Sequence, residues 1–175
     1  VNGEYAKPKE MKRSDIYKAI RNKASELTYL KSKDLQKGQF QKEKDTYPLP
    51  LPALLVEFSD FRFKSQLEHT QIGEGIVSLF LYLNLVTDSF KGAEREDETI
   101  EILDRFDDLF QTFEGLSIPG LLSPLVRVTE FKPQYGNRYI MFRIDFSTSV
   151  DDAKTIVRQT AEKPQPDIAA KFKFK

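Results

Sequence analysis

Between Gly75 and Thr87 apolar side chains recur at every second position, as Val77, Leu79, Leu81, Leu83 and Leu85. Successive side chains of an extended strand point to opposite faces, so this spacing predicts one long strand with a wholly aliphatic face. The intervening Ile76, Ser78, Phe80, Tyr82, Asn84 and Val86 make the other face mixed. A sheet covered by helices on one side only fits such a strand. Phe80 and Tyr82 would then be available to another surface, or would be ordinary exposed aromatics.

The neighbouring segments supply the rest of the sheet and its cover. Residues 53–63 (ALLVEFSDFRF) alternate and predict a half-buried strand. Leu125–Phe131 and Arg138–Thr148 predict a hairpin across Lys132-Pro-Gln-Tyr-Gly-Asn137. Ser14 is a candidate N-cap, with Asp15 in the first turn, for a helix whose stripe is Ile16, Ile20, Ala24 and Leu27. A second helix is predicted from Asp97 to Glu114 on Ile100, Leu103, Phe106 or Asp107, Phe110 and Phe113, with Gly115 as its stop. Residues 151–162 carry a weak helical period. Helix, two strands, helix, two strands and a weak helix predict an α+β domain: an antiparallel sheet of about four strands with helices packed on one face.

At 175 residues and 39% hydrophobic content the chain can bury one core. The expected division is a basic N-terminal arm at 1–13, a single domain at 14–161 and a Pro/Lys-rich tail at 162–175. Residues 31–52 form a long connection, basic first and then Tyr47-Pro-Leu-Pro-Leu-Pro52, whose prolines predict extended chain. A connection of this length is either functional or a plain surface loop. The last five residues, Lys171-Phe-Lys-Phe-Lys175, alternate like an edge strand or form a free end.

Several chemistries are excluded by residue content. There is no Cys, which removes disulfides, zinc–thiolate sites and thiol nucleophiles. One His, His69, leaves no paired imidazoles; it reads as a general base or, better, as a loop residue without a role. The acidic run Glu94, Glu96, Asp97, Glu98 and Glu101 would suit a magnesium nuclease only if the carboxylates converged. A solvated helix start explains them as well. Gln71-Ile-Gly-Glu-Gly-Ile76 precedes a strand and not a helix, so it reads as strand entry and not as a phosphate loop. No cofactor is expected. No 18-residue apolar run occurs, so no membrane span is expected.

Lys+Arg and Asp+Glu both number 27, which argues against holding nucleic acid through bulk positive charge, and no sequence-specific nucleic acid is expected. The neutral total hides a polarity. Residues 1–44 hold 12 basic and 6 acidic side chains, a net of +6, whereas residues 87–114 hold 3 and 10, a net of −7. Opposed patches suit a head-to-tail contact that can close into a ring, or they serve solubility alone.

The order of elements resembles the tail-completion or tail-terminator (neck) proteins of tailed bacteriophages. The likeness is carried by the proline-led strand Pro52-Ala-Leu-Leu-Val-Glu-Phe58, the aliphatic alternation Val77-Ser-Leu-Phe-Leu-Tyr-Leu-Asn-Leu85, the acidic entry Glu94-Arg-Glu-Asp-Glu98 and the last strand Tyr139-Ile-Met-Phe-Arg-Ile-Asp-Phe146. It covers about residues 14–150 and includes no catalytic signature. It implies a virion protein that is not an enzyme, a homo-oligomeric ring, often a hexamer, between tail tube and head connector, assembled in the host cytoplasm. The contact residues expected on this reading are the basic set Lys7, Lys9, Lys12, Lys31, Lys33 and Lys37, the acidic set Glu98, Glu101, Asp104 and Asp108, and the aromatics Phe80 and Tyr82. The alternatives are a small metal-dependent phage nuclease using the acidic cluster, or an adaptor outside the virion.

Overall fold

The computed structural model describes residues 12–40, 49–59, 61–67, 70–86 and 90–152. Helix α1 (Arg13–Lys23) runs into a single 3-10 turn, Ala24–Glu26. Strands β1 (Ser32–Leu35), β2 (Ala53–Phe58), β3 (Arg62–Leu67) and β4 (Thr70–Asn84) follow. Helix α2 (Glu96–Phe113) then leads to β5 (Val126–Tyr135) and β6 (Tyr139–Asp152). The α+β class is as expected, but the sheet has six strands and not four, in the order β1-β2-β4-β6-β5, with β3 also on β4. The additional strands are β1, inside the proline-rich connection, and β3, beyond a break in the strand expected at 53–63.

The sheet is built on β4 and β6, which pair antiparallel without a slip from Gln71↔Asp152 to Asn84↔Tyr139. On the other side of β4, β2 and β3 act as one interrupted strand. β2 pairs with residues 77–82 and β3 with residues 70–74. At the interruption the Ser59 hydroxyl takes over backbone pairing: Ile76 N donates to Ser59 Oγ at 3.0 Å, and that hydroxyl donates to Ile76 O at 3.1 Å. β1 lies outside β2 and runs parallel to it.

The aliphatic face is the helix side, as its alternation requires. Val77, Leu79, Leu81 and Leu83 join Ile140, Phe142, Ile144 and Phe146 of β6 under Ile16 and Ile20 of α1 and Ile102, Phe106, Leu109 and Phe113 of α2. Phe106 stacks on Phe142 with ring centres 4.6 Å apart. The α2 stripe is therefore turned from the expected one: Ile102 and Leu109 are buried, whereas Ile100 and Leu103 are exposed. Two overlapping 3–4 spacings exist in this sequence, and only packing chooses between them. Ser14 lies inside α1, whose N-cap is Lys12. Gly115, at φ 72°, ends α2 as expected, and its N–H donates to Leu125 O at 2.8 Å.

The two glycines of the expected strand entry are interior to β4. Gly73 sits opposite Phe63 in the register, and a Cβ there would meet that ring at 2.5 Å. A Cβ on Gly75 would likewise meet the Phe61 ring at 2.5 Å. Aromatic rings thus cover the glycines and supply the apolar surface those positions lack. The helix expected at 151–162 is replaced at its start by β6, which continues to Asp152; its remainder, with most of the two terminal arms, lies outside the described residues.

Gly75→Ala should cost about 1–3 kcal/mol, as overpacking of a filled site does. In a Phe61→Ala background the same change should cost far less. A double-mutant cycle by urea denaturation measures that coupling.

Candidate functional site

The second face of the sheet is not open where Phe80 and Tyr82 lie. Both are buried, Tyr82 to 3% exposure, in a second apolar cluster with Ala53, Leu55 and Met141. The cover is the chain's own connection. Phe40 stacks on Tyr82 at 4.2 Å between ring centres and lies 5.2 Å from Tyr139, with Leu49 and Leu51 beside them. Gln36 Nε2 donates to the Tyr82 hydroxyl at 2.9 Å. Burial pushes the Tyr82 phenol up, against that hydrogen bond. Phe80 packs against Arg143, whose guanidinium lies 4.3 Å from the Phe131 ring centre and makes a two-pronged pair with Asp145 at 2.8 and 2.9 Å. Tyr82 therefore holds the connection to the sheet and Arg143 covers Phe80, and the expectation that these two aromatics face a partner is corrected.

The charged residues separate into sets with different surroundings. Lys7 and Lys9 lie outside the described residues. Lys12, Lys31 and Lys37 are exposed, and Lys37 pairs with Asp34 at 3.5 Å. Lys33 is half-buried, with Nζ 3.2 Å from Ser25 Oγ. On α2, Glu98 pairs with Arg95 and Glu101 with Arg105. The hydrogen bond from Arg95 holds the Glu98 carboxyl below its usual range. Asp108 faces Tyr29, whose hydroxyl donates to Arg105 O at 2.7 Å. Glu98, Glu101 and Asp108 thus belong to the side of α2 turned toward the end of α1. Asp104 is exposed between the two sides.

The opposite side of α2 meets β5, and that is where unsatisfied surface collects. The Glu114 carboxylate accepts from Arg127 N at 2.9 Å, and the Arg127 guanidinium lies 3.9 Å from the Phe110 ring centre. Leu103 precedes Phe110 by two turns, and Asp107 stands between them. Beyond Arg127, the outer side of β5 pairs with no strand among the described residues, and all ten of its residues are exposed. Val126, Val128, Phe131 and Tyr135 of β5 and Ile100 and Leu103 of α2 are six of the nine exposed large hydrophobic side chains among the described residues. Leu103 is 56% and Tyr135 71% exposed. Both border a groove of about 480 Å³ floored by Ile102, Ile140 and Phe142.

A strand of a helix-covered sheet normally buries one face, so a ten-residue edge exposed throughout, with apolar residues on both faces, sets β5 apart from the other strands. The sequence held one sign of it. Pro133, read above as part of a loop, lies within β5, and proline in a strand marks an edge. Nothing in the spacing of Ile100 and Leu103 distinguished them from core.

Other sites are less developed. A second groove of about 720 Å³ on the far end of the sheet is lined by Ser59, Ser123, Ser147, Thr148 and Ser149, with Arg62 and Glu74 at its border. No three His, Asp or Glu side chains converge as a metal site among the described residues. His69 lies outside those residues. No protein-family model and no curated protein matches this sequence.

Burial, with the Asp108 carboxylate second, pushes the Tyr29 phenol far above its ordinary value. An acid whose pKa is raised by folding contributes stability that is complete below its unfolded pKa, about 10 for tyrosine, and is lost as pH rises toward the folded value. Stability should therefore fall above about pH 10. Tyr29→Phe should lose less over that interval, because phenylalanine does not ionise. Urea midpoints of both chains on either side of that pH check this.

Proposed function

We propose that this chain is a non-enzymatic structural subunit of the phage neck or tail end. It closes with copies of itself into a ring that ends the tail tube or joins the tube to the head connector. The observation that carries the reading is the β5–α2 edge. It is long, carries exposed apolar side chains, and on its outer side pairs with no strand among the described residues. Its character is that of an assembly contact: apolar Tyr135 and Leu103, which border one groove, beside charged Asp107 and Glu114.

A ring needs two different surfaces on each subunit, since a head-to-tail contact mates one patch with another. The charge division of the sequence supports that requirement. The hydroxyl-lined groove and the remaining acidic side chains do not add a converging set of catalytic groups, so the assembly reading uses more of the molecule than the nuclease one. The tail tube and connector proteins are the further partners of this reading.

Sedimentation velocity of the full chain tests the proposal. Species heavier than the 20.3 kDa monomer should grow with concentration. Leu103→Asp and Val128→Asp, both at exposed positions, should return the chain to monomer without loss of fold by circular dichroism. A single monomeric species at every concentration would count against the ring.

A further inference from the structure

The ring reading leaves open which surface meets the β5 edge, and the sheet topology narrows the choice. The strand order runs from β1 at one end to β5 at the other. Among the described residues neither outer side pairs with another strand; on β1 the Leu35 N–H donates to Asp34 Oδ1 at 2.7 Å and Leu35 O accepts from Gln39 Nε2 at 2.6 Å, which leaves the Lys33 backbone to offer outward. β1 runs with β2, and each of the next steps, β2 to β4, β4 to β6 and β6 to β5, is antiparallel. β1 and β5 therefore run in opposite directions. Copies arranged around an axis along the strands keep those directions, so the β5 of one copy would meet the β1 of the next in antiparallel sense, the more stable form of pairing. Four residues of β1 span roughly 13 Å and ten of β5 roughly 33 Å at about 3.3 Å per residue, so the longer edge accommodates the shorter.

Charge adds an independent argument. Lys33 is opposite Leu54 in the β1–β2 register, and Leu54 belongs to the helix-side core. Lys33 is thus on the helix side, where its Nζ reaches Ser25 of the turn after α1, and the exposed Lys31 lies just before the strand. The acidic α2 covers the same side of the sheet next to β5, with Asp107 and Glu114 toward the edge and Asp104 outward. A neighbour continuing the sheet in register of face brings Lys31 and Lys33 against those carboxylates. Arg127, the nearest cation on β5, is already engaged by Phe110 and by Glu130 at 3.2 Å.

We infer that copies of this chain join edge to edge, the β1 strand of one adding antiparallel to the β5 strand of the next, with Lys31 and Lys33 set against the acidic border of α2. This rests on the ring reading and specifies its contact. It also assigns distinct parts to residues the charge division alone would pool. Lys31 and Lys33 act across the contact, whereas Glu98, Glu101 and Asp108 serve the α1 side of their own subunit.

Two full-length variants block one edge each: Lys31→Glu/Lys33→Glu at β1, and Leu103→Asp/Val128→Asp at β5. Each alone should weaken self-association by about tenfold or more, since like charge or a buried carboxylate replaces a favourable contact. Mixed together they should form dimers and nothing larger, because each pair retains one intact β5 and one intact β1. If the β1 variant assembles as the unaltered chain does, or the mixture yields no dimer, the edge-to-edge contact is wrong while the ring reading survives. If the unaltered chain does not self-associate, the ring reading fails first. Circular dichroism and thermal melts of both variants separate loss of contact from loss of fold.

Discussion

The fourteen-residue antiparallel pairing of β4 with β6 organises this molecule. Its register proceeds without a bulge, so every side chain along both strands is committed to one face. A shift of β4 by one residue would send Val77, Leu79, Leu81 and Leu83 to the side of the connection and place Ser78, Phe80 and Tyr82 under the helices. Burial of the aliphatic set is worth roughly 1.5–3 kcal/mol per side chain, which is why the register does not slip. Both helices, the Phe106–Phe142 stack and the interrupted β2–β3 strand take their positions from this pair.

The two faces are finished by different means. Helices close the aliphatic side. Phe40, Leu49 and Leu51 of the connection close part of the other, on Tyr82, Tyr139 and Met141. The long stretch that the sequence left as either functional loop or bland surface is therefore structural where it is described. It contributes β1 to the sheet and a cover to the second face. Tyr82 is taken up by this cover and Phe80 by Arg143, and six of the nine exposed large apolar side chains among the described residues lie on β5 and α2.

That edge gives the assembly reading its physical basis. Unpaired backbone and exposed apolar side chains are costly to leave in water and are a common starting point for association. At β5 the two coincide, and the charge on α2 supplies direction. The proposed ring would use the two unlike ends of the sheet, which pair with no further strand among the described residues, each meeting its complement.

Much of the architecture was legible in the order of residues. The period of two from Val77 to Leu85, the hairpin residues and Gly115 determined strand, hairpin and helix end, because these depend on local backbone preference and side-chain alternation. The polarity of charge was equally direct, being a sum over residues. Tertiary structure alone decided which of two stripes α2 would bury, that Phe61 and Phe63 would roof Gly75 and Gly73, and that Phe80 and Tyr82 would be covered while Leu103 and Tyr135 were left bare. Those outcomes turn on contacts between segments distant in sequence, and no local pattern encodes which neighbour a side chain will meet.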